Sequence, residues 1–131
     1  MFGKKKSTKV EVAIEVASSA LQIQFDLAGS TLDRVAAAHD QYALGYVFGF
    51  HDGVCQLLDV LSNTTQGFGV LAASYARLAS SPGVGGTIVR QCFDLQKNGV
   101  FMQGVFAGGK EALDYCQNNT PPMGLAGHLQ S

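Results

Sequence analysis

The chain has 131 residues, of which 15% are charged, and its formal net charge is −1. This length fits one domain whose core needs no metal or disulfide staple. Four of the nine basic residues are Lys4, Lys5, Lys6 and Lys9, so the rest of the chain is acidic, which argues against nucleic-acid binding. The low charged fraction favours a surface that is partly covered by a second copy, in a homodimer.

The cellular compartment is predicted from the cysteines and from the apolar segments. Cys55, Cys92 and Cys116 are widely spaced and odd in number, which is not typical of a disulfide framework. Glu11 and Glu15 interrupt the apolar stretch that a signal peptide would need. Because no stretch has the ~20 apolar residues of a membrane span, we expect a cytoplasmic protein without integral membrane association.

The first helix is predicted from its caps. Residues 1–7 are expected to form a disordered basic arm, and Thr8 with Glu11 has the form of a capping box. Residues 10–16 alternate as in a strand, but the uninterrupted length up to Gly29 favours a helix, which Gly29 then ends.

The remaining helices follow from caps and breakers. Ser30-Thr31-Leu32-Asp33 can cap a second helix. The apolar residues 32–61 are too long a run for one helix, so we expect a break near His39-Asp40. Further helices are predicted from Thr64 or Thr65 to residue 79, over 87–97, and over 99–118 after a cap at Asn98. The fold predicted is an all-α bundle of four to six helices in a single domain over residues 8–120, followed by an extended tail over 121–131.

A glycine ladder is the most informative pattern. Gly45, Gly49 and Gly53 recur every four residues and lie on one helix face. Each glycine costs roughly 1 kcal/mol in a helix interior, so we expect a compensating close approach of a second helix. Gly104 and Gly108 are the expected partner face, in the same chain or in a second copy. The alternative is a ligand groove with apolar walls formed by Tyr42, Tyr46, Phe48 and Phe50.

A second stripe on the same helix contains groups capable of chemistry. His51, Cys55 and Asp59 also recur every four residues, and Asp52 lies beside them. Such a stripe suits metal ligation or a thiolate favoured by an imidazolium. No fourth ligand has suitable spacing, so a polar seam with one buried thiol is the competing interpretation. No cofactor and no catalytic residue is predicted.

Two more patterns resemble catalytic motifs but lack essential parts. His39-Asp40 and His51-Asp52 repeat the His-Asp pair of metal phosphohydrolases, yet the two pairs differ by about a third of a turn around a helix. Residues 104–111 nearly match a phosphate-binding loop, but Glu111 stands where the Mg²⁺-binding hydroxyl belongs. We expect glycine packing here, with Lys110 and Glu111 exposed.

Residues 42–53, which read YALGYVFGFHDG, resemble the glycine-tyrosine, glycine, aspartate helix of small helical immunity proteins linked to type VI secretion. The resemblance covers about a dozen residues. Those proteins are periplasmic, with a signal peptide and paired cysteines, and this sequence is expected to have neither, so no function is carried over.

The sequence favours a non-enzymatic interaction or accessory protein of bacterial type that acts through an apolar helical surface. The alternative is a small-molecule or metal-binding protein, or an enzyme, with a site beside the His51, Cys55 and Asp59 stripe.

Overall fold

The computed structural model describes residues 8–60, 65–79 and 81–131. Within these ranges the chain forms seven α-helices, one 3-10 turn at Pro82–Val84 and no β-strand. The helices are α1 Lys9–Ala28, α2 Leu32–Ala37, α3 Gln41–Leu57, α4 Thr65–Leu78, α5 Gly85–Asp94, α6 Gly99–Asn118 and α7 Gly124–Gln130. The predicted all-α bundle is confirmed, although the described residues hold seven helices where four to six were expected.

Local caps set most of the helix ends. The Thr8 hydroxyl accepts from the Glu11 N–H while the Glu11 carboxylate accepts from the Thr8 N–H, which forms the predicted capping box. Gly29 ends α1 in the left-handed region at φ 66°. The predicted break is present: the chain turns at His39, with φ 54°, and the Asp40 side chain caps α3.

Two segments differ from the sequence-based prediction. Helix α5 was expected over 87–97 but begins at Gly85 and ends at Asp94. It ends there because the Leu95 N–H donates to the Cys92 carbonyl, three residues back, in place of the α-helical bond to the residue four back. The expectation of an extended tail over 121–131 is wrong, since Gly124–Gln130 is helical. Distant side chains cap the start of this helix, and local sequence does not reveal them. The predicted arm over 1–7 and a start at Thr64 lie outside the described residues.

The core is built around α3, which packs along α6 over its length. Helix α1 packs on α4, α4 on α5, and α7 on both α1 and α3. The largest fully buried side chains include Leu21, Phe25, Tyr46, Phe50, Tyr75 and Phe101. Among the described residues, no helix combines the length and apolarity needed to cross a bilayer.

Candidate functional site

The predicted glycine ladder lies where α3 crosses α6. The backbone of α6 is so close that a Cβ on Gly45 would overlap the Phe101 carbonyl, and a Cβ on Gly49 would overlap the Val105 carbonyl. Gly53 is packed less tightly, with its would-be Cβ 2.9 Å from the Ala112 Cβ. No side chain larger than hydrogen fits at the two tighter positions.

The crossing is reciprocal. A Cβ on Gly104 would overlap the Tyr42 carbonyl, and a Cβ on Gly108 would overlap the Tyr46 carbonyl. The structure therefore places all five predicted packing glycines at one interface, and both helices belong to the same chain. Two of the proposed apolar walls, Tyr46 and Phe50, are fully buried, so they do not line an open groove.

An open groove does exist on the outer side of the α3–α6 seam, and we call it the seam groove. It encloses about 370 Å³. Both helices line it, and three of the lining residues are glycines. The lining residues are Gly49, Asp52, Gly53 and Gln56 of α3, and Val105, Phe106, Gly109, Lys110 and Leu113 of α6. Phe106 is 71% exposed, the most exposed of the large apolar side chains described.

His51 is fully buried in the core, and both of its ring nitrogens are hydrogen-bonded. Its Nδ1 lies 2.6 Å from the Val47 carbonyl oxygen, and its Nε2 lies 2.5 Å from Ser74 Oγ. A carbonyl only accepts, so Nδ1 carries the proton and Nε2 accepts from the Ser74 hydroxyl. Complete burial lowers the pKa of His51 to about 4, so the ring is neutral near pH 7. Both nitrogens are committed, and neither is open to a ligand.

The rest of the His51 stripe does not converge on a common point. Burial raises the pKa of the Cys55 thiol to about 11, with a further contribution from the Asp52 charge. The Asp52 carboxylate accepts from the Gln56 amide, and Asp59 lies beyond the end of α3, where it pairs with Lys9 at 3.7 Å. Within the part of the chain that the structure describes, no group of three or more His, Cys, Asp and Glu residues is placed to hold a metal ion.

A polar cluster, which we call the α7 seat, is formed by Gln24 and Tyr46, which are fully buried, and by Glu111, which is half-buried. Glu111 Oε1 accepts from the backbone N–H groups of residues 123 and 124 at 3.0 and 2.8 Å. Gln24 Oε1 accepts from those of residues 125 and 126 at 2.9 and 3.1 Å. The Tyr46 hydroxyl joins the two side chains by accepting from Gln24 and donating to Glu111. The expectation that Glu111 is exposed is wrong, because it caps α7.

The motif-like segments have structural roles. Residues 104–111 lie within the continuous helix α6 and form no loop. Asp40 caps α3 and also pairs with His128, whose Nε2 lies 2.9 Å from Asp40 Oδ1. His39 occupies the turn before α3.

Two features were missed by sequence reasoning, although each left a signal. Phe101, Gly104 and Gly108 form the face of α6 that packs on α3, and Phe106 lies on another face of the helix. A large apolar residue on the outer face of α6 was therefore predictable. Gln24 sits among the buried residues of α1, but a lone polar residue in an apolar stripe does not reveal its partner.

Models of known protein families, curated proteins and solved structures yielded no match to this chain.

Proposed function

We propose that this chain is a non-enzymatic interaction protein that acts through an apolar helical surface. The surface is the seam groove with Phe106 at its edge, and the partner is a second copy of the chain. The observation that supports this most strongly is the 71% exposure of Phe106 directly beside a groove partly lined by glycine.

A protruding aromatic ring and an open groove on one surface are self-complementary. A two-fold axis beside the seam allows the Phe106 ring of each copy to enter the groove of the other, since an isologous contact uses the same patch twice. Burying a phenylalanine side chain contributes about 2 kcal/mol, and symmetry doubles that contribution.

Charges at the groove agree with the same arrangement. Lys110 lies one turn after Phe106 on α6, and Asp52 lies across the groove on α3. In the two-fold contact that we propose, α6 of one copy faces α3 of the other. Lys110 of each copy then approaches Asp52 of the other, which favours this register over alternatives that pair like charges.

Chemistry at the His51 stripe is disfavoured on geometric grounds. His51 has no free nitrogen, and the raised pKa of Cys55 leaves its thiol protonated near pH 7. We further propose a reducing, cytoplasmic setting for the interaction, because the three cysteines are free.

Sedimentation velocity over micromolar to millimolar concentrations tests the proposal. Wild-type chain should form a dimer as concentration rises. Phe106→Ser should raise the dissociation constant by about a thousandfold, because two anchor side chains of about 2 kcal/mol each are lost.

The matched control is Val100→Ser. Val100 is also on α6 and is 47% exposed, but its direction differs from that of Phe106 by about a third of a turn around the helix. Its removal should leave the dimer unchanged. A wild-type chain that stays monomeric throughout, or equal effects of the two substitutions, would refute the proposed surface.

A further inference from the structure

The C-terminal helix α7 is held by contacts that do not depend on its covalent attachment to the same body. The α7 seat binds the backbone N–H groups of residues 123–126, and the Leu125 side chain is fully buried. At the other end of α7, His128 pairs with Asp40. An α7 from a second copy offers the same N–H groups and side chains, so the seat can bind it equally well.

The hinge between α6 and α7 is short and conformationally restricted. Asn119 turns the chain in the left-handed region at φ 55°, which L-residues other than Asn and Asp rarely adopt. Pro121 and Pro122 follow and restrict the backbone of the connection. Moving Asn119 to the ordinary helical region removes its conformational cost and changes the direction in which the chain leaves α6.

A released α7 is too short to persist alone. It has seven residues, well below the length at which isolated helices are stable in water. Release also leaves Gln24 Oε1, which is buried, without the donors of residues 125 and 126, which is unfavourable. Helix and seat therefore each require a partner, in the same chain or in another copy.

We propose that two copies exchange α7 reciprocally, each placing its helix in the α7 seat of the other. Such domain swapping reuses existing contacts and needs no new surface. It goes beyond the proposed function, because it involves the seat and the hinge and is independent of Phe106.

The first test compares Asn119→Val with Asn119→Gly in the 131-residue chain that also carries Phe106→Ser, so that the seam groove does not contribute. Valine disfavours the closed hinge and glycine favours it. After incubation at millimolar concentration and dilution, size-exclusion chromatography with light scattering should show about tenfold more dimer for the valine variant. Equal dimer fractions, or monomer in both, would overturn the exchange.

The second test mixes Gln24→Leu with Leu125→Asp. The first variant has a defective seat and an intact α7, and the second has the reverse. Only the mixture contains one fully competent pair, so native mass spectrometry should detect a heterodimer that neither variant forms alone. Two helical variants that remain separate on mixing would contradict the proposal. If either variant unfolds, the residue 119 comparison decides, because it leaves the core intact.

Discussion

Single glycines set how closely α3 and α6 approach. The Gly49 Cα faces the Val105 backbone with no room for a methyl group. Backbone cannot rotate aside as a long side chain can, so a substitution here must separate the helices or distort them.

Gly49→Ala is therefore expected to lower the free energy of unfolding by about 3 kcal/mol, at the upper end for overpacking. Urea denaturation followed by circular dichroism measures it. Gly69→Ala is the control: Gly69 lies inside α4 and no atom is within 4 Å of its would-be Cβ. That change should stabilise by about 0.5–1 kcal/mol. The same sign for both variants would show that helix propensity, and not the crossing, decides.

Burial of His51 predicts a pH dependence of stability. The unfolded chain takes up a proton near pKa 6.5, whereas the pKa of the folded His51 is lowered to about 4. Its contribution is complete above pH 6.5 and is lost as pH falls towards 4. Between pH 7 and pH 5 the loss should be about 2 kcal/mol.

Denaturation at a series of pH values, with wild type beside His51→Gln, measures this loss. The glutamine variant should have the flatter profile over this interval, because its side chain does not titrate. Parallel profiles would mean that the His51 ring is not held neutral in the folded chain.

At the scale of the elements, local caps were predictable and distant ones were not. Thr8, Thr31 and Asn98 cap helices through their own neighbours three residues on, so the starts of α1, α2 and α6 follow from adjacent residues. Helix α7 depends on Gln24 and Glu111, about a hundred and about a dozen residues away. Only the folded arrangement of α1, α3 and α6 brings those acceptors together.

Glu111→Ala is expected to weaken the attachment of α7 while the body stays folded. It removes the acceptor of the N–H groups of residues 123 and 124 and of the Tyr46 hydroxyl. Hydrogen bonds to a charged group contribute about 1.5–3 kcal/mol, so amide exchange of Leu125 and Ala126 should accelerate by about ten- to a hundredfold.

Glu111→Gln is the matched control for this loss, since it retains an oxygen acceptor and should preserve most of the protection. Hydrogen exchange resolved by NMR measures the amide exchange rates of Leu125 and Ala126 in both variants. Unaltered protection in the alanine variant would show that the α7 seat does not hold the helix.

At the scale of the whole molecule, the α3–α6 interface contributes both to the core and to the seam groove on the surface. Gly49 and Gly53, which allow α3 to pack closely on α6, also line the seam groove, where they contribute no side chain. The fold class was predictable from caps and breakers, and the glycine spacing predicted that the two glycine-bearing helices pair. That spacing left open whether the pair forms within one chain or between two copies. The groove was not predictable, because it depends on how the two helices are rotated relative to each other.

The central claim, a two-fold contact between copies at the seam groove, is tested most directly by exchanging charges. Lys110→Asp places like charges opposite Asp52, and Asp52→Lys places like charges opposite Lys110. At micromolar concentration, without the millimolar incubation used for α7 exchange, each variant alone should be a monomer in sedimentation velocity. Their equimolar mixture should contain a heterodimer, since mixing restores both opposite-charge pairs. A mixture that sediments as two independent monomers, or single variants that dimerise like wild type, would contradict the two-fold contact.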